Sequence, residues 1–547
     1  MLSQLSATIL GVILEITSNR AFSFLRHGRS KDESDLTLNV SSPKNTLNNE
    51  YGKLVLMDSF VTPHWALINA VAASKVAEIT SSKVITFGFS KRNLSEDTLY
   101  GSLGVNNHLK IRLNPHLFIK AIAVYVRLIR QIYSGTKILD LHIDKVNIGL
   151  DVYESFLRRG HATVDLNSRD LYRELWRGIQ QYLYFKPLFI DEQITALLVS
   201  HDNYVGPGLL ARMAFRYKVP VILINPFEIN ILSRPFHLYE RFARYRVYFS
   251  EQSENWRELS LHKAQIELRR RVSGEIGIGT MSYQRKSAFT QHRIENQISP
   301  SQHKKLLVLS HDFFDNPHAY TRMLFDDFID WLSFVADCCA KNRIDCYIKL
   351  HRDFSDVEHQ IVLDFQTRNP FVVIVDSEVS YHQLFDEGIR FVTTCYGSAG
   401  HELPLLGFTV INASYNPHVA FSFNHHASTK DEYYDLLKDQ IPIVIDETLK
   451  NEIYMFYSVH SFLMWPDSYN MKSFSGFDSF CDSDFVGQKA LRFLENHFCE
   501  ISELVSTNLE DAIAERRVFS VEKSLPRDLQ QNFADETHYE SFFNKFN

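Results

Sequence analysis

Between residues 305 and 414, five short apolar runs alternate with segments of helical pattern: KLLVLSHD (305–312), CYIKLH (346–351), FVVIVD (371–376), IRFVTTC (389–395) and FTVINAS (408–414). Strands separated by single helices cross over and pair in parallel, and a parallel sheet needs helices on both faces. This half is therefore predicted to be a doubly wound α/β domain. The same alternation occurs earlier. KLVLMDSF (53–60) is followed by a helix with Thr62 as N-cap and Pro63 in its first turn, then by KVITFGF (83–89). ITALLVSHD (194–202) leads into a helix over 206–218 and then VPVILINP (219–226). Helical patterns fill 116–133, 152–185 and 251–272. A chain of 547 residues exceeds the usual size of one core. The expected organisation is an N-terminal helix and polar loop (1–50), a first lobe (51–272), a linker (273–303), a second lobe (304–465) and a helical C-terminal extension (466–547).

Composition excludes several classes. Hydrophobic residues make up 45% and charged residues 22%, the balance of a globular chain, and the net charge of −7 argues against a general nucleic-acid binder. The six cysteines form no CxxC pair, so they read as reduced thiols in a cytoplasmic protein. No apolar run reaches the roughly 18–20 residues of a membrane span. The first twenty residues lack a basic n-region and carry an early Glu15, so they read as a short amphipathic helix that either touches the inner face of a membrane or caps the domain.

Ligands of open α/β sheets sit beyond the carboxyl ends of the strands. The second half places Ser310, His311 and Asp312 there, then Lys349 and His351, then Asp376, then Tyr396, Gly397 and Ser398. In TTCYGSAGHE (393–402), Gly397 and Gly400 let backbone N–H groups approach a ligand, and a helix starting near Ser398 favours an anion. The Ser398 hydroxyl can join them, and Glu402, one turn on, can accept ribose hydroxyls. The competing interpretation is a tight strand–helix turn with Ser398 as N-cap. Alternation puts Tyr347, Lys349 and His351 on one face of their strand. A buried Lys is costly without an anion, so a phosphate is expected there unless that strand is a solvated edge. Asp312 and Asp315 either bind ligand or shape their loop. There is no GxxxxGK[ST], no GxGxxG after a strand, no HExxH, no nucleophile elbow and no DxD pair at a strand end. His425 and His426 lack partners at ligand spacing, so no metal and no bound cofactor is expected.

SHDFFDNPHAY, YIKLHRD and TTCYGSAGHELPLLGFTVI resemble the bacterial capsule and lipopolysaccharide glycosyltransferases, including the Kdo transferases of capsule synthesis. NIGLDVYESFLR and SHDNYVGPGLLARMAFRYKVPV also fit that group. The resemblance implies two Rossmann-like lobes with a central cleft (GT-B). It also implies an inverting, metal-independent transfer of a sugar from a CMP-, UDP- or CDP-linked donor to a saccharide or glycolipid acceptor. It matches His351 to the donor-phosphate His, Ser398 to the phosphate-binding Ser and Glu402 to the acid that holds the donor's ribose or base. Arg352 stands where the group has Pro. The general base is then expected from the first lobe, with Asp58 and His201 ranked ahead of His64 and Asp202. The competing functions are a sugar-nucleotide 2-epimerase on the same fold and a non-catalytic scaffold of polysaccharide assembly.

Overall fold

The computed structural model describes residues 52–59, 63–92, 94–224, 229–232, 241–276, 286–290, 292–319, 323–350 and 355–463, together with 503, 505 and 509. The expected N-terminal helix, His351, Arg352 and most of the expected C-terminal extension lie outside the described residues.

Two six-stranded sheets organise the chain. The first contains β1 (Leu54–Met57), β2 (Lys83–Gly88), β3 (His108–Lys110), β6 (Ile194–Val199), β7 (Val221–Ile224) and β8 (Ile229–Leu232), with β4 (His142–Ile143) and β5 (Val146–Asn147) forming a separate antiparallel hairpin. Its order is β3-β2-β1-β6-β7-β8, parallel except for β8. The second contains β9 (Lys305–Leu309), β10 (Asp345–Lys349), β11 (Val373–Val375), β12 (Phe391–Thr394), β13 (Thr409–Asn412) and β14 (His425–His426), in the order β11-β10-β9-β12-β13-β14. Leaving the hairpin aside, each sheet runs third, second, first, fourth, fifth, sixth. This is the doubly wound Rossmann order, whose direction reverses between β1 and β6 and between β9 and β12. The expected two-lobed α/β fold is present. The strands β3, β8 and β14 were not legible beforehand, since two to four residues at a sheet edge carry little periodicity.

Both sheets are buried on both faces, which explains their continuous apolar runs. Leu54 and Leu56 pack into one cluster and Val55 and Met57 into another. Leu306 and Val308 are likewise separated from Leu307 and Leu309. The polar stretch after residue 286 has no regular structure, yet Phe289 and Ile298 are buried against the second sheet. The helices used below are α1 (Pro115–Tyr133), α2 (Gly149–Leu157), α3 (Leu209–Arg216), α4 (Glu254–Val272), α5 (Phe328–Asn342), α6 (Ala399–Glu402) and α7 (Glu447–Tyr457). Helix α4 shares an aromatic cluster with α7, so it packs with second-lobe elements. Val505 and Leu509, four residues apart, are fully buried in the first lobe, so the chain returns there near its end.

The lobes meet at Asp327, which caps α5. Its Oδ1 accepts the Asp330 N–H at 2.8 Å, while Oδ2 accepts hydrogen bonds from Tyr153 and, at 2.7 Å, from Thr163. Tyr153 lies on α2, so one buried carboxylate ties the first lobe to the second. The four described cysteines are buried free thiols. Among the described residues, no helix is long and apolar enough to cross a membrane.

Candidate functional site

Asp58 and His201 follow the two strands that flank the first lobe's reversal point. The Asp58 N–H donates to the Leu198 carbonyl at 3.1 Å, which continues the β1–β6 ladder to the site. Among the described residues its Oδ1 accepts the Ser59 N–H, at 2.9 Å. Burial pushes this carboxyl up to about 7, and the Ser59 bond offsets only part of that rise. A pocket of about 290 Å³ opens beside it, lined also by Ser90, Arg92, His108, Arg177 and Pro207. His201 shares a hydrogen with Ser200 through Nδ1 and stands edge-on to Tyr204 at 5.5 Å. Burial, aided by Arg158, pushes its imidazole down to about 4, so it is neutral at pH 7. The loop that follows is bent sharply, with φ of 70° at Tyr204 and 128° at Gly206. A bulky residue rarely holds a left-handed conformation away from a functional or tightly packed turn.

Behind that loop lies a cluster that the strand-end argument missed. Every residue of α2 is buried, including Asp151 and Glu154. Asp151 Oδ2 accepts from Arg212 Nε of α3 at 2.8 Å. Burial pushes the Asp151 carboxyl up to about 7 despite that pairing. Neither Glu154 oxygen has a hydrogen-bond partner among the described residues, and burial followed by Asp151 raises its pKa well above the ordinary value. Burial depresses Arg212, but Asp151, Asp202 and Glu154 together hold it above its usual range. Three carboxyls around one guanidinium cannot all ionise cheaply, so the cluster retains protons at neutral pH. Gly208 is required here: a Cβ would lie 2.4 Å from Asp151 Oδ1 and from the Asn203 carbonyl carbon. The signal in the sequence was the helix itself. In GLDVYESFL the apolar residues occupy every side of the wheel, which places its two carboxylates inside.

In the second lobe, Gly397 and Ser398 follow β12 at the reversal point, beside His311 after β9. The His311 ring lies between Phe328 (5.3 Å) and Tyr396 (4.6 Å), and its Nε2 accepts the Tyr396 N–H at 3.3 Å. Beyond Tyr396, the N–H groups of Gly397, Ser398 and Ala399 have no acceptor among the described residues. Gly397 and Ser398 are only half-buried while Ala399 is buried, so the row is open at its first two members. Gly400 packs under it, where a Cβ would lie 2.5 Å from the His418 ring. Ser398 Oγ donates to Glu402 Oε2 at 3.2 Å and does not cap the helix. Glu402 is fully buried and paired with Arg271 of α4.

The other expected residues fall elsewhere. Lys349 is buried, as its face of the strand required, but its ammonium donates to the Ser377 carbonyl at 2.6 Å and lies 5.9 Å from the Tyr381 ring. That loop follows β11, on the side of β10 away from β12, so Lys349 does not face the helix start at Ser398. Backbone carbonyls meet the need that was assigned to a phosphate. Asp312 is exposed and closes its own turn by accepting the Phe314 N–H at 2.8 Å. Its neighbour Asp315 reaches across to Arg158 of the first lobe at 3.8 Å. Among the described residues, no three His, Cys, Asp or Glu side chains are grouped to hold a metal ion.

No protein-family model matches the chain, and no curated protein matches it. Among solved structures it is similar to the beta Kdo 2,4 transferase KpsC of Thermosulfurimonas dismutans, at 9% identity and a TM-score of 0.29, over 53% of this chain and 88% of that one. It is also similar to the UDP-GlcNAc 2-epimerase of Methanocaldococcus jannaschii, at 9% identity and a TM-score of 0.21, over 75% of this chain and 99% of that one. A third is the UDP-forming alpha,alpha-trehalose-phosphate synthase of Burkholderia vietnamiensis, at 9% identity and a TM-score of 0.26, over 79% of this chain and all of that one. Likeness at this level assigns neither a reaction nor a ligand to the chain.

Proposed function

We propose that the chain is an inverting glycosyltransferase that moves a sugar from a nucleotide-sugar donor to a saccharide or glycolipid acceptor. The observation that carries this reading is the row of N–H groups at Gly397, Ser398 and Ala399, at the reversal point of a parallel sheet. Such a row suits a phosphate in the ground state and the charge that grows on it as it leaves. The acceptor hydroxyl attacks the anomeric carbon, the bond to the nucleotide phosphate breaks, and the hydroxyl proton passes to Asp58. A carboxyl poised near 7 on a pocket wall is matched to that task. Glu402, committed to Arg271, fixes α6 in place, and Lys349 braces the neighbouring loop. A capsule or lipopolysaccharide acceptor rests on the sequence resemblance, and contact with the inner membrane face on the amphipathic pattern of the first twenty residues.

Thermal shifts with CMP, UDP, CDP and GDP test the donor site, since a ligand that binds only the folded chain raises Tm. Ser398→Pro deletes one N–H at a φ of −57° that proline accepts. It is expected to abolish the shift from the preferred nucleotide, whereas Ser398→Ala weakens it; an unchanged shift in the proline variant refutes the site. Asp58→Asn should keep the shift and lose transfer on the order of 100-fold or more. In the unaltered protein, transfer should rise with pH through about 7 as Asp58 ionises. Release of free sugar without any acceptor would favour the epimerase instead.

A further inference from the structure

Residues 98–139 contain six Lys and Arg and no Asp or Glu, in a chain whose net charge is −7. The longest element of this segment is α1, and the fold gives it one free face. The helix buries Ala121, Tyr125, Leu128, Ile129 and Ile132. At 100° per residue these share one side. The opposite side carries Ile119, Lys120, Ala123, Arg127 and Arg130, all exposed, with Ile119 68% exposed. Arg127 and Arg130 have no carboxylate partner among the described residues, and they border a shallow depression of about 630 Å³ with Ala123, Val126, Gln131 and Ser134. Lys110 and Arg112 precede the helix, and mutual repulsion, after desolvation, lowers the Lys110 pKa. Two acids lie near the margin. Asp144 is within reach of Lys120 but is bonded to Lys186 at 2.5 Å, and Asp326 holds Lys137 at 2.8 Å.

We propose that this face of α1 docks on an anionic lipid bilayer. The stripe combines cations for phosphate headgroups with an aliphatic side chain, Ile119, that can enter the acyl boundary. An extended polyanion such as nucleic acid fits less well, because the stripe offers only the His116 ring for base stacking and the rest of the chain is net negative. At about 1.5 Å per residue the helix offers a contact roughly 28 Å long. The pocket at Asp58 shares this end of the lobe, since His108 and Ile111 line it just before α1 begins. Charge and exposure alone carry the assignment. It holds whether or not the transfer reaction proposed above is correct, and nucleotide binding is measured separately.

The test is co-sedimentation of the full chain with phosphatidylcholine vesicles, with and without phosphatidylglycerol. Binding is expected only with the anionic lipid, and is expected to weaken sharply from about 0.1 to 0.5 M salt, where the screening length falls below ~5 Å. Each basic residue near such a surface strengthens partitioning about fivefold. The combined Lys120→Gln, Arg127→Gln, Arg130→Gln variant should therefore lose on the order of 100-fold. These side chains are exposed, so its melting temperature should be unchanged, and Ile119→Asp should weaken binding independently. The proposal is overturned if the neutralised variant sediments like the unaltered chain, or if neither vesicle is bound. Binding to double-stranded DNA stronger than to anionic vesicles also overturns it and makes a nucleic acid the occupant.

Discussion

The two lobes repeat one strand order but bury opposite kinds of titratable group. Behind its site loop the first lobe packs Asp151, Glu154 and Asp202 around Arg212. Beneath its site helix the second lobe packs His401, His418 and His460 around the Phe456 ring, at 5.0, 4.5 and 5.1 Å. His426 stands close by, within hydrogen-bond reach of Asn412 and Asn416. Burial raises the Asp151 and Glu154 carboxyls and lowers the His401 and His418 imidazoles, so the same physical cause disfavours the charged form of these groups in both clusters. What differs is the direction in which pH destabilises each lobe. A carboxyl with a raised folded pKa gives stability that is present below about pH 4 and lost as pH rises toward 7. An imidazole with a depressed folded pKa gives stability that is present above about pH 6.5 and lost as pH falls toward 4. The carboxyl cluster of the first lobe thus weakens as pH rises from about 4 toward 7, and the imidazole cluster of the second as pH falls from about 6.5.

Arg212→Met should break this comparison most severely. It leaves buried carboxyls without their counter-charge, and a loss of roughly 3–5 kcal/mol is expected near neutral pH. Urea unfolding should show the defect shrinking toward pH 5, as protons replace the guanidinium. A loss that is independent of pH would mean that Arg212 acts by packing alone.

Acidification should separate the lobes more gently. His426 sits at about 4 and His460 at about 3 in the folded chain. Lowering a pKa by one is worth roughly 1.4 kcal/mol, so full protonation of either ring costs at most about 3–5 kcal/mol, with only part of that reached by pH 5. Calorimetry between pH 7 and 5 should show the second lobe's transition falling faster than the first lobe's, in which His201 and His108 work the same way. His460→Phe should flatten that slope; a slope that is unchanged would remove His460 from the acid response.

Gly400→Ala should have the smallest effect, about 1–3 kcal/mol, because its new Cβ meets the His418 ring at 2.5 Å. The strain should be relieved in part by His418→Ala, and a double-mutant cycle reads that coupling. Strict additivity would show that α6 moves aside and that the two residues do not constrain each other.

The fold was largely legible because burial on both faces forces a strand to be apolar throughout. KLLVL and FVTT had few alternatives between helical segments, and their order placed Asp58, His201, Gly397 and Ser398 at strand ends. Alternation also put Lys349 on the buried face of its strand, yet it could not say that two carbonyls from the next loop would take its ammonium. Glu154 was overlooked because a carboxylate within a helix usually faces water. The apolar residues on every side of α2 were the one local sign that this one does not, and the burial of the whole helix bears that out.

Chain-local physics therefore determined the elements, their parallel pairing and the residues that stand at the ends of strands, since these depend on periodicity and on backbone geometry between near neighbours. Tertiary structure decided what each of those residues faces. Glu402 meets Arg271 from 131 positions away, and Tyr153 meets Asp327 across 174. Partnerships of that length depend on how helices pack and lobes meet, and no local pattern encodes them.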